Sequence, residues 1–255
     1  MFTLPAELVN IIIHFTSNPV TELSLISKYF NHHTKRIRIT DNKKYYRINS
    51  DQLFLDTPLL NSLYVRSCSL ITNYGISLLP NLRFLSLAYN CEITDKGIRN
   101  LTNLTALELP CNKKITNQGI SNLFNLTHLN LQSNPNITTL TSFSKLAVLE
   151  LDNNTNITDL SISNLTGLTY LDLEDNDNIT NQGISKLTNL TYLGLTDNNE
   201  ITDQVVSTLT NLKTLSLIRN SSVTRRSINL LSKLEIIWCD DYLAETPTRY
   251  LRFWR

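Results

Sequence analysis

The stretch LTNLTALELPCNKKITNQGISN, residues 101–122, contains leucines at a fixed spacing, then an asparagine, and then the phrase ITNQGI. The same pattern returns along the chain in steps of about 22 residues. Clear repeats begin at Leu82, Leu104, Leu168 and Leu190, and weaker ones at Leu60, Leu126, Leu146 and Leu212. A short stretch, LEIIWCDD, follows from Leu234. A repeat of this length cannot bury its own apolar face, so stacked neighbours are expected to build one continuous core.

Each repeat follows the pattern LxxLxLxxN, whose places we number from the first leucine. Leucines at the fourth and sixth places alternate with polar residues, which predicts a short strand with one buried face. The asparagine at the ninth place, such as Asn176, can both donate and accept hydrogen bonds. A column of these side chains is therefore predicted to pair the backbone of the turn after the strand. Threonine then stands at a helix N-cap position, as in Thr94-Asp95, and predicts a short helical turn.

These spacings resemble the leucine-rich repeat family over residues 60–241. The resemblance implies an α/β solenoid, a horseshoe of about eight 22-residue repeats. The ITDxGI phrase is similar to the cysteine-containing type found in F-box/leucine-rich-repeat proteins, although the ninth place holds cysteine only in the first repeat, at Cys68. The LTNLTYL wording is also similar to internalin-like bacterial surface proteins.

The first forty residues follow a different pattern. Pro5 suits the first turn of a helix. Apolar residues lie at helical spacing around it, at Leu4, Leu8, Ile12 and Phe15. Asn18-Pro19 ends this predicted helix and opens a second one.

This segment, LPAELVNIIIHFTSNPVTELSLISKYFN, resembles an F-box. On this resemblance, residues 1–40 are expected to form an F-box-like helical segment. The resemblance implies docking on the Skp-type adaptor of a cullin-RING ubiquitin ligase. The implied adaptor-binding residues are Leu4, Pro5, Leu8 and Ile12. The alternative is that these helices only cap the N-terminal end of the solenoid.

Two segments flank the repeats. Residues 41–59 form a basic lead-in, which we interpret as a solvated connector with a nucleic-acid site as the alternative. Residues 242–255 form a basic and aromatic tail that ends in RYLRFWR. This tail is a candidate to fold back over the acidic face described below.

The overall composition shows no bias toward nucleic acid or membrane. The chain has 255 residues, 41% of them hydrophobic and 18% charged, with a formal net charge of +1. The first fifteen residues carry no Lys or Arg, and no stretch is long and apolar enough to span a bilayer. We therefore expect a cytoplasmic protein, in the host cytoplasm if the chain is viral, with the nucleus as an open alternative. The four cysteines form no CxxC pair and are expected to be reduced thiols.

The sequence contains no nucleophile elbow, phosphate loop, HExxH motif or spaced metal set, so we expect no enzyme, cofactor or metal. The outward places of the strands are more informative, because they would line the concave face. Acidic and aromatic residues cluster there, at Glu150, Asp152, Tyr170, Asp172, Glu174, Tyr192 and Asp197. An acidic face with aromatics predicts recognition of a basic protein segment, and a merely solvated sheet is the alternative.

Together these features predict a protein-interaction module. The F-box resemblance implies the substrate-recognition subunit of a cullin-RING ubiquitin ligase, with a Skp-type adaptor and a protein substrate as partners. The alternative is a leucine-rich-repeat scaffold with no ligase connection.

Overall fold

The computed structural model describes residues 60–65 and 71–240, together with the backbone of three short strands, Ile11–Ile13, Arg36–Ile39 and Leu251–Arg252. The chain divides into two compact units, Met1–Leu126 and Thr127–Arg255. We describe each unit by itself.

The N-terminal unit contains a parallel sheet in which each described strand pairs with the next one along the chain. Its strands are β1 (Ile11–Ile13), β2 (Arg36–Ile39), β3 (Ser62–Val65), β4 (Phe84–Ser86) and β5 (Ala106–Glu108). Its described helices are α1 (Asn73–Ser77), α2 (Asp95–Ile98) and α3 (Asn117–Ile120). Fourth-place leucines are aligned in register, as Leu63, Leu85 and Leu107 are.

The C-terminal unit is built in the same way, from parallel strands that pair in chain order. Its strands are β6 (His128–Asn130), β7 (Val148–Glu150), β8 (Tyr170–Asp172), β9 (Tyr192–Gly194), β10 (Thr214–Leu217), β11 (Ile236–Cys239) and β12 (Leu251–Arg252). Its described helices are α4 (Asp159–Ile162), α5 (Asn181–Ile184), α6 (Asp203–Val206) and α7 (Arg225–Ile228). In the described part of the chain, no helix has the length and apolarity needed to cross a membrane.

The core lies between the strands and the helical turns, as the leucine spacing predicts. In the repeat that begins at Leu168, the side chains of Leu168, Leu171 and Leu173 are fully buried, and so are those of Ile179 and Ile184. Each such side chain contributes roughly 1.5–3 kcal/mol by leaving water. The sequence prediction of a strand with one buried face is therefore confirmed.

The ninth-place asparagines form the predicted column within each unit. Asn176 is fully buried, and its Oδ1 accepts from the backbone N–H groups of Asn178 and Ile179 at 3.2 and 3.1 Å. Its Nδ2 donates to the backbone carbonyl of Asn154, one repeat earlier, at 2.6 Å. The same pattern joins Asn112 to Asn90 in the N-terminal unit. The predicted pairing of the turn backbone is confirmed.

A second column of polar side chains, which the sequence reading missed, lies at the start of the helical turns. Asp159 accepts from the backbone N–H and the hydroxyl of Thr180, in the next repeat, at 2.8 and 2.7 Å. Asp95 makes the same two bonds to Thr116. The Thr-Asp and Thr-Asn pairs at 22-residue intervals were the available signal. The threonines were read only as caps of their own helices, a role in which Thr180 also accepts from the N–H of Gln182.

The repeat that begins at Leu126 is two residues shorter than its neighbours. All residues between β6 and β7 are described, and none of them forms a helix. Leu140 and Phe143 are buried in this repeat, and the Phe143 ring is 1% exposed. Phe143 thus stands where another repeat has the buried Leu187, three residues before the first leucine of the next repeat.

The expectation of a helix at the N-terminus is wrong where the structure describes the chain. Ile12 lies in strand β1, which pairs in parallel with Arg36–Ile39. Three consecutive isoleucines favour a strand, because β-branched side chains are restricted in a helix. The other implied adaptor-binding residues, Leu4, Pro5 and Leu8, lie outside the described residues.

A sequence signal for these strands was available. Leu8, Ile11 and Ile13 have the spacing of places one, four and six of the repeat. Ile37 and Ile39 occupy places four and six of a similar stretch, because Ile37 is paired with Leu63. The pattern was missed because the intervals here are 26 residues, not 22.

Two further expectations need correction. Leu251–Arg252 of the tail forms strand β12 beside β11, so this part of the tail extends the sheet and does not fold back over the acidic face. An aromatic-rich, β-prone segment beside an edge strand gains backbone hydrogen bonds by pairing with it. Cys91 is disulfide-bonded, whereas Cys111 is a free thiol. Stacked repeats lie about 5 Å apart, which is within reach of a disulfide between neighbours.

Candidate functional site

The outward side chains of β7, β8 and β9 form a regular grid in the C-terminal unit. Parallel strands lie about 4.8 Å apart, and every second residue along a strand points to the same face about 6.6 Å further on. Third places hold Val148, Tyr170 and Tyr192, which are aligned in register. Fifth places hold Glu150, Asp172 and Gly194, also in register. The seventh places follow directly after the strands, at Asp152, Glu174 and Thr196.

We call Glu150, Asp152, Asp172 and Glu174 the acidic strip. Glu150 is held from the β6 side, where Asn130 Nδ2 donates to its Oε2 at 2.6 Å. His128 Nε2 lies 3.3 Å from the other carboxylate oxygen of Glu150, Oε1. Asn130 therefore bonds one oxygen of Glu150, and the His128 ring lies beside the other.

Asp172 leans toward β9 because Gly194 has no side chain. A Cβ atom at Gly194 would lie 2.1 Å from Asp172 Oδ1, far closer than a real contact allows. The Tyr192 hydroxyl donates to Asp172 Oδ2 at 3.3 Å, and the Glu174 backbone N–H donates to Oδ1 at 3.3 Å. Burial raises the pKa of Asp172 more than these hydrogen bonds lower it.

Of the four acids in the strip, Asp152 has the surroundings that least favour a charged carboxylate. Its Oδ1 is buried and has no hydrogen-bond partner among the described residues. Burial, followed by the negative charges of Asp172, Glu150 and Glu174, raises the pKa of Asp152 to about 7. Near neutral pH this carboxyl is thus poised between its protonated and charged forms.

The two tyrosines stand side by side on the same face. Their rings are stacked, with centroids 4.0 Å apart and planes inclined by 4°. Burial and the neighbouring Asp172 charge raise the pKa of Tyr170 to about 12 and that of Tyr192 further. Both hydroxyls therefore stay neutral donors at physiological pH.

Asp197 lies in a turn beside the strip, and its carboxylate comes within 4.8 Å of those of Glu174 and Asp175. Asp197 occupies the turn after β9 with a φ of 54°, and its Oδ1 accepts from Arg219 Nε at 2.6 Å. A second bond joins Arg219 Nη2 to Asp197 Oδ2, and this ion pair lowers the pKa of Asp197. The other six predicted residues lie on β7, β8 and β9 or directly after β7 and β8.

The sequence reading missed three contributors to this face. Gly194 was not singled out, although it is the one fifth place without a side chain among the described repeats. His128 and Asn130 were not connected to Glu150, although places three and five of neighbouring repeats are adjacent in a parallel sheet. The register of β6 with β7 pairs Asn130 with Glu150.

The repeats match known leucine-rich repeats. Residues 78–101, 100–124 and 164–187 match the family model described as Leucine Rich repeat. No curated protein sequence matches the chain. Together with the strand-and-turn geometry above, the family match supports a leucine-rich-repeat fold.

Solved structures agree with this fold. The chain is similar to an internalin, InlF, of Listeria monocytogenes str. 4b F2365, with a TM-score of 0.67 and 23% identity over 89% of this chain and 69% of that one. It is similar to internalin C2 (InlC2) of the same strain, with a TM-score of 0.59 and 29% identity over 74% of this chain and 84% of that one. It is also similar to the protein of a TLR13–ssRNA13 complex, with a TM-score of 0.58 and 21% identity. That match covers 84% of this chain and 36% of the other.

Proposed function

We propose that the chain is a leucine-rich-repeat protein-recognition module that binds a basic segment of a partner protein on the outward face of β7–β9. The supporting observation is the acidic strip beside two stacked tyrosines. Such a face combines negative charge with aromatic area, and aromatic residues are enriched at protein interfaces. A protein that performs only recognition needs no catalytic group here.

The charge of the strip is available to a partner. Within the described residues, the salt bridges of the C-terminal unit join His128 to Glu150 and Arg219 to Asp197. Neither pair includes Asp152 or Asp172. The ionised carboxylates of the strip share one face, and like charges on one face raise the local potential and speed encounter with a cationic partner.

Charge reversal tests this function. We expect the full chain to bind a fluorescent hexa-arginine peptide at low salt, and the double variant Asp172→Lys, Glu174→Lys to lose that binding. The matched control reverses two exposed acids of the same unit, Asp177→Lys and Glu200→Lys, and should retain it. Binding should weaken as salt is added, because the screening length is about 8 Å at physiological ionic strength.

A second double variant without charge separates the loss of charge from any misfolding of the lysine variant. Asp172→Asn with Glu174→Gln keeps the side-chain shapes and should weaken binding while the melting temperature stays near that of the wild type. Equal binding by the wild type and both strip variants would show that the strip is only a solvated surface.

A ligase connection is the finer hypothesis, and its support is the F-box-like sequence of residues 4–31. Strand β1 at Ile11–Ile13 argues against an F-box helix at that point. The test is co-purification with a Skp-type adaptor, comparing the wild type with Leu4→Ala, Pro5→Ala. Loss of the adaptor at an unchanged melting temperature would support the ligase role, and no adaptor binding by the wild type would leave an interaction scaffold.

A further inference from the structure

The outward face of the N-terminal unit carries a pair of aromatic rings beside small side chains. The rings of Tyr64 on β3 and Phe84 on β4 lie with their centroids 4.4 Å apart and their planes inclined by 34°. On its other side Phe84 is paired in register with Ala106 of β5. Because the side chain of Ala106 is a single methyl group, space remains above it beside the Phe84 ring.

Ser86 and Glu108 form the polar half of the same surface. Ser86 follows Phe84 by two residues along β4 and is paired in register with Tyr64 on one side and with Glu108 on the other. Ser86 therefore lies at the bottom of a notch between two longer side chains, and it is only 6% exposed. We call Phe84, Ser86, Ala106 and Glu108 the serine notch.

The polar side chains of the serine notch have no partner among the described residues. Neither the Ser86 hydroxyl nor the Glu108 carboxylate makes a hydrogen bond or an ion pair with that part of the chain. The Ser86 Oγ atom is not sealed from solvent, so a ligand can reach it. Polar groups that are nine-tenths buried are generally hydrogen-bonded in proteins. The unbonded hydroxyl therefore indicates a ligand that supplies hydrogen bonds.

The four residues of the notch lie within reach of one small molecule. Neighbouring strands are about 4.8 Å apart and alternate residues along a strand about 6.6 Å, so the diagonal from Phe84 to Glu108 is about 8 Å. A six-membered ring over the middle of the notch lies about 4 Å sideways from each of the four backbone positions. One ring can thus contact all four side chains at once.

We propose that the serine notch binds one ring of a neutral saccharide. The apolar face of the ring packs against Phe84, the Ser86 hydroxyl bonds to one sugar hydroxyl, and the Glu108 carboxylate accepts from two adjacent sugar hydroxyls. No covalent bond forms or breaks, so the site is one of recognition. It uses none of the residues of the acidic strip, and the inference goes beyond the proposed function.

A sugar ring matches these groups better than a lysine side chain does. A sugar hydroxyl both donates and accepts, whereas an ammonium group only donates and would leave the hydroxyl hydrogen of Ser86 unbonded. One face of a sugar ring carries C–H groups, which gain from burial against an aromatic ring. The sheet here also carries both signs of charge, because Arg36 and Arg38 of β2 are paired in register with Ser62 and Tyr64. A neutral ligand suits such a surface better than a cation does.

An oligosaccharide array provides the first test. We expect the full chain to bind at least one of the neutral oligomers of glucose, galactose, mannose and N-acetylglucosamine. Binding should be equal at low salt and at about 0.5 M salt, because the ligand has no charge to be screened. Calorimetry then gives the dissociation constant of the bound oligomer. Absence of binding to every neutral oligomer would overturn the inference.

Three substitutions test the assigned contacts. Ala106→Leu places a larger side chain where the ring would lie and should abolish binding, although it removes no polar group. Glu108→Gln should weaken binding by at least about tenfold and Ser86→Ala by about fivefold, as expected for charge-assisted bonds and for one neutral hydrogen bond. All three variants should keep the melting temperature of the wild type, because the substituted side chains face outward.

Two matched controls change the same residue types elsewhere in the N-terminal unit. Glu92→Gln alters an exposed acid and Phe124→Ala an exposed ring, and both variants should bind the oligomer as the wild type does. Phe84→Ala should not bind it. Wild-type affinity in both Phe84→Ala and Ala106→Leu would show that the sugar binds elsewhere and would overturn the assignment.

A basic ligand would give a different pattern. Displacement of the bound oligomer by hexa-lysine, together with loss of hexa-lysine binding in Glu108→Gln, would make the notch a cation site and overturn the inference. The double variant Asp172→Lys, Glu174→Lys should bind the oligomer as the wild type does. Saccharide binding and hexa-arginine binding therefore succeed or fail independently, and each result bears on one proposal.

Discussion

The Nδ2 group of Asn154 donates to the backbone carbonyl of Asn134 at 2.9 Å, so a buried side chain of one repeat is bonded to the turn of the repeat before it. The Oδ1 of Asn154 accepts from the N–H groups of Asn156 and Ile157 in its own turn, at 3.1 Å each. One amide thus satisfies backbone groups in two repeats, which links their stabilities.

Replacement of one column asparagine in the middle of the C-terminal unit should destabilise the protein. Asn176→Ala leaves buried carbonyl and N–H groups unpaired and should lower the free energy of unfolding by about 1–3 kcal/mol. The measurement is urea unfolding followed by circular dichroism. Asn229→Ala is the control, because Asn229 is exposed after α7, and it should change stability by less than about 0.5 kcal/mol. Equal, negligible changes in both variants would contradict a structural role for the column.

The glycine of the helical turn makes room for the acid of the preceding repeat. A Cβ atom at Gly183 would lie 2.3 Å from Asp159 Oδ1, and we expect Gly183→Ala to destabilise the protein by about 1–3 kcal/mol. Gly183→Ser should be milder, because Ser227 occupies the same place two repeats later and donates to Asp203 Oδ1 at 2.5 Å. Thermal melting of the two variants tests this order. A serine variant less stable than the alanine variant would contradict the role assigned to Asp159.

Tyr89 lies in the left-handed region with a φ of 58°, which is unfavourable for a bulky side chain. Its side chain is 54% exposed, so little packing is lost on substitution. Tyr89→Asn should therefore stabilise the protein by about 0.5–1 kcal/mol, because Asn tolerates this conformation. Tyr74→Asn is the matched control, since Tyr74 is 61% exposed but lies in helix α1. A gain of the same size in both variants would show that backbone strain is not the cause.

Much of the fold could be predicted from local spacing. The alternation around Leu171 and Leu173 requires a strand with one buried face, and the Asn at the ninth place requires turn groups to pair with. Contacts between repeats were harder to predict. The bonds from Asp159 to Thr180 depend on how two repeats stack, and the dipeptide Thr-Asp has an equally good local explanation as a helix cap.

The candidate site was predictable as a set of outward places but not as a set of partners. The alternation placed Tyr170 and Tyr192 on one face, and their stacking follows from the strand spacing. Asp197 was predicted to lie on the same face, but it stands at the eighth place, where the strand alternation has ended. Its position in a turn and its ion pair with Arg219 depend on the repeat that follows. The raised pKa of Asp152 depends on its burial and on three neighbouring charges. The sequence pattern of a single repeat contains neither.

The final prediction concerns the stability of the protein without a partner. In an unfolded chain an Asp titrates near pH 4, whereas the pKa of Asp152 in the folded protein is raised to about 7. Between these values the folded state binds more protons than the unfolded state, so the contribution of Asp152 to stability falls as pH rises through this window and levels off above pH 7. Asp152→Asn replaces the titrating carboxyl by a neutral amide and should therefore remove this loss of stability.

We therefore expect the melting temperature of Asp152→Asn to be close to that of the wild type near pH 4 and to exceed it by a growing margin up to pH 7, with a constant margin at pH 8. Differential scanning calorimetry from pH 4 to 8 provides the measurement. Asp177→Asn should show no such trend, because Asp177 is exposed. A margin for Asp152→Asn that stays the same across this range would mean that Asp152 is charged in the folded protein throughout, and this carboxyl would then hold no exchangeable proton at neutral pH.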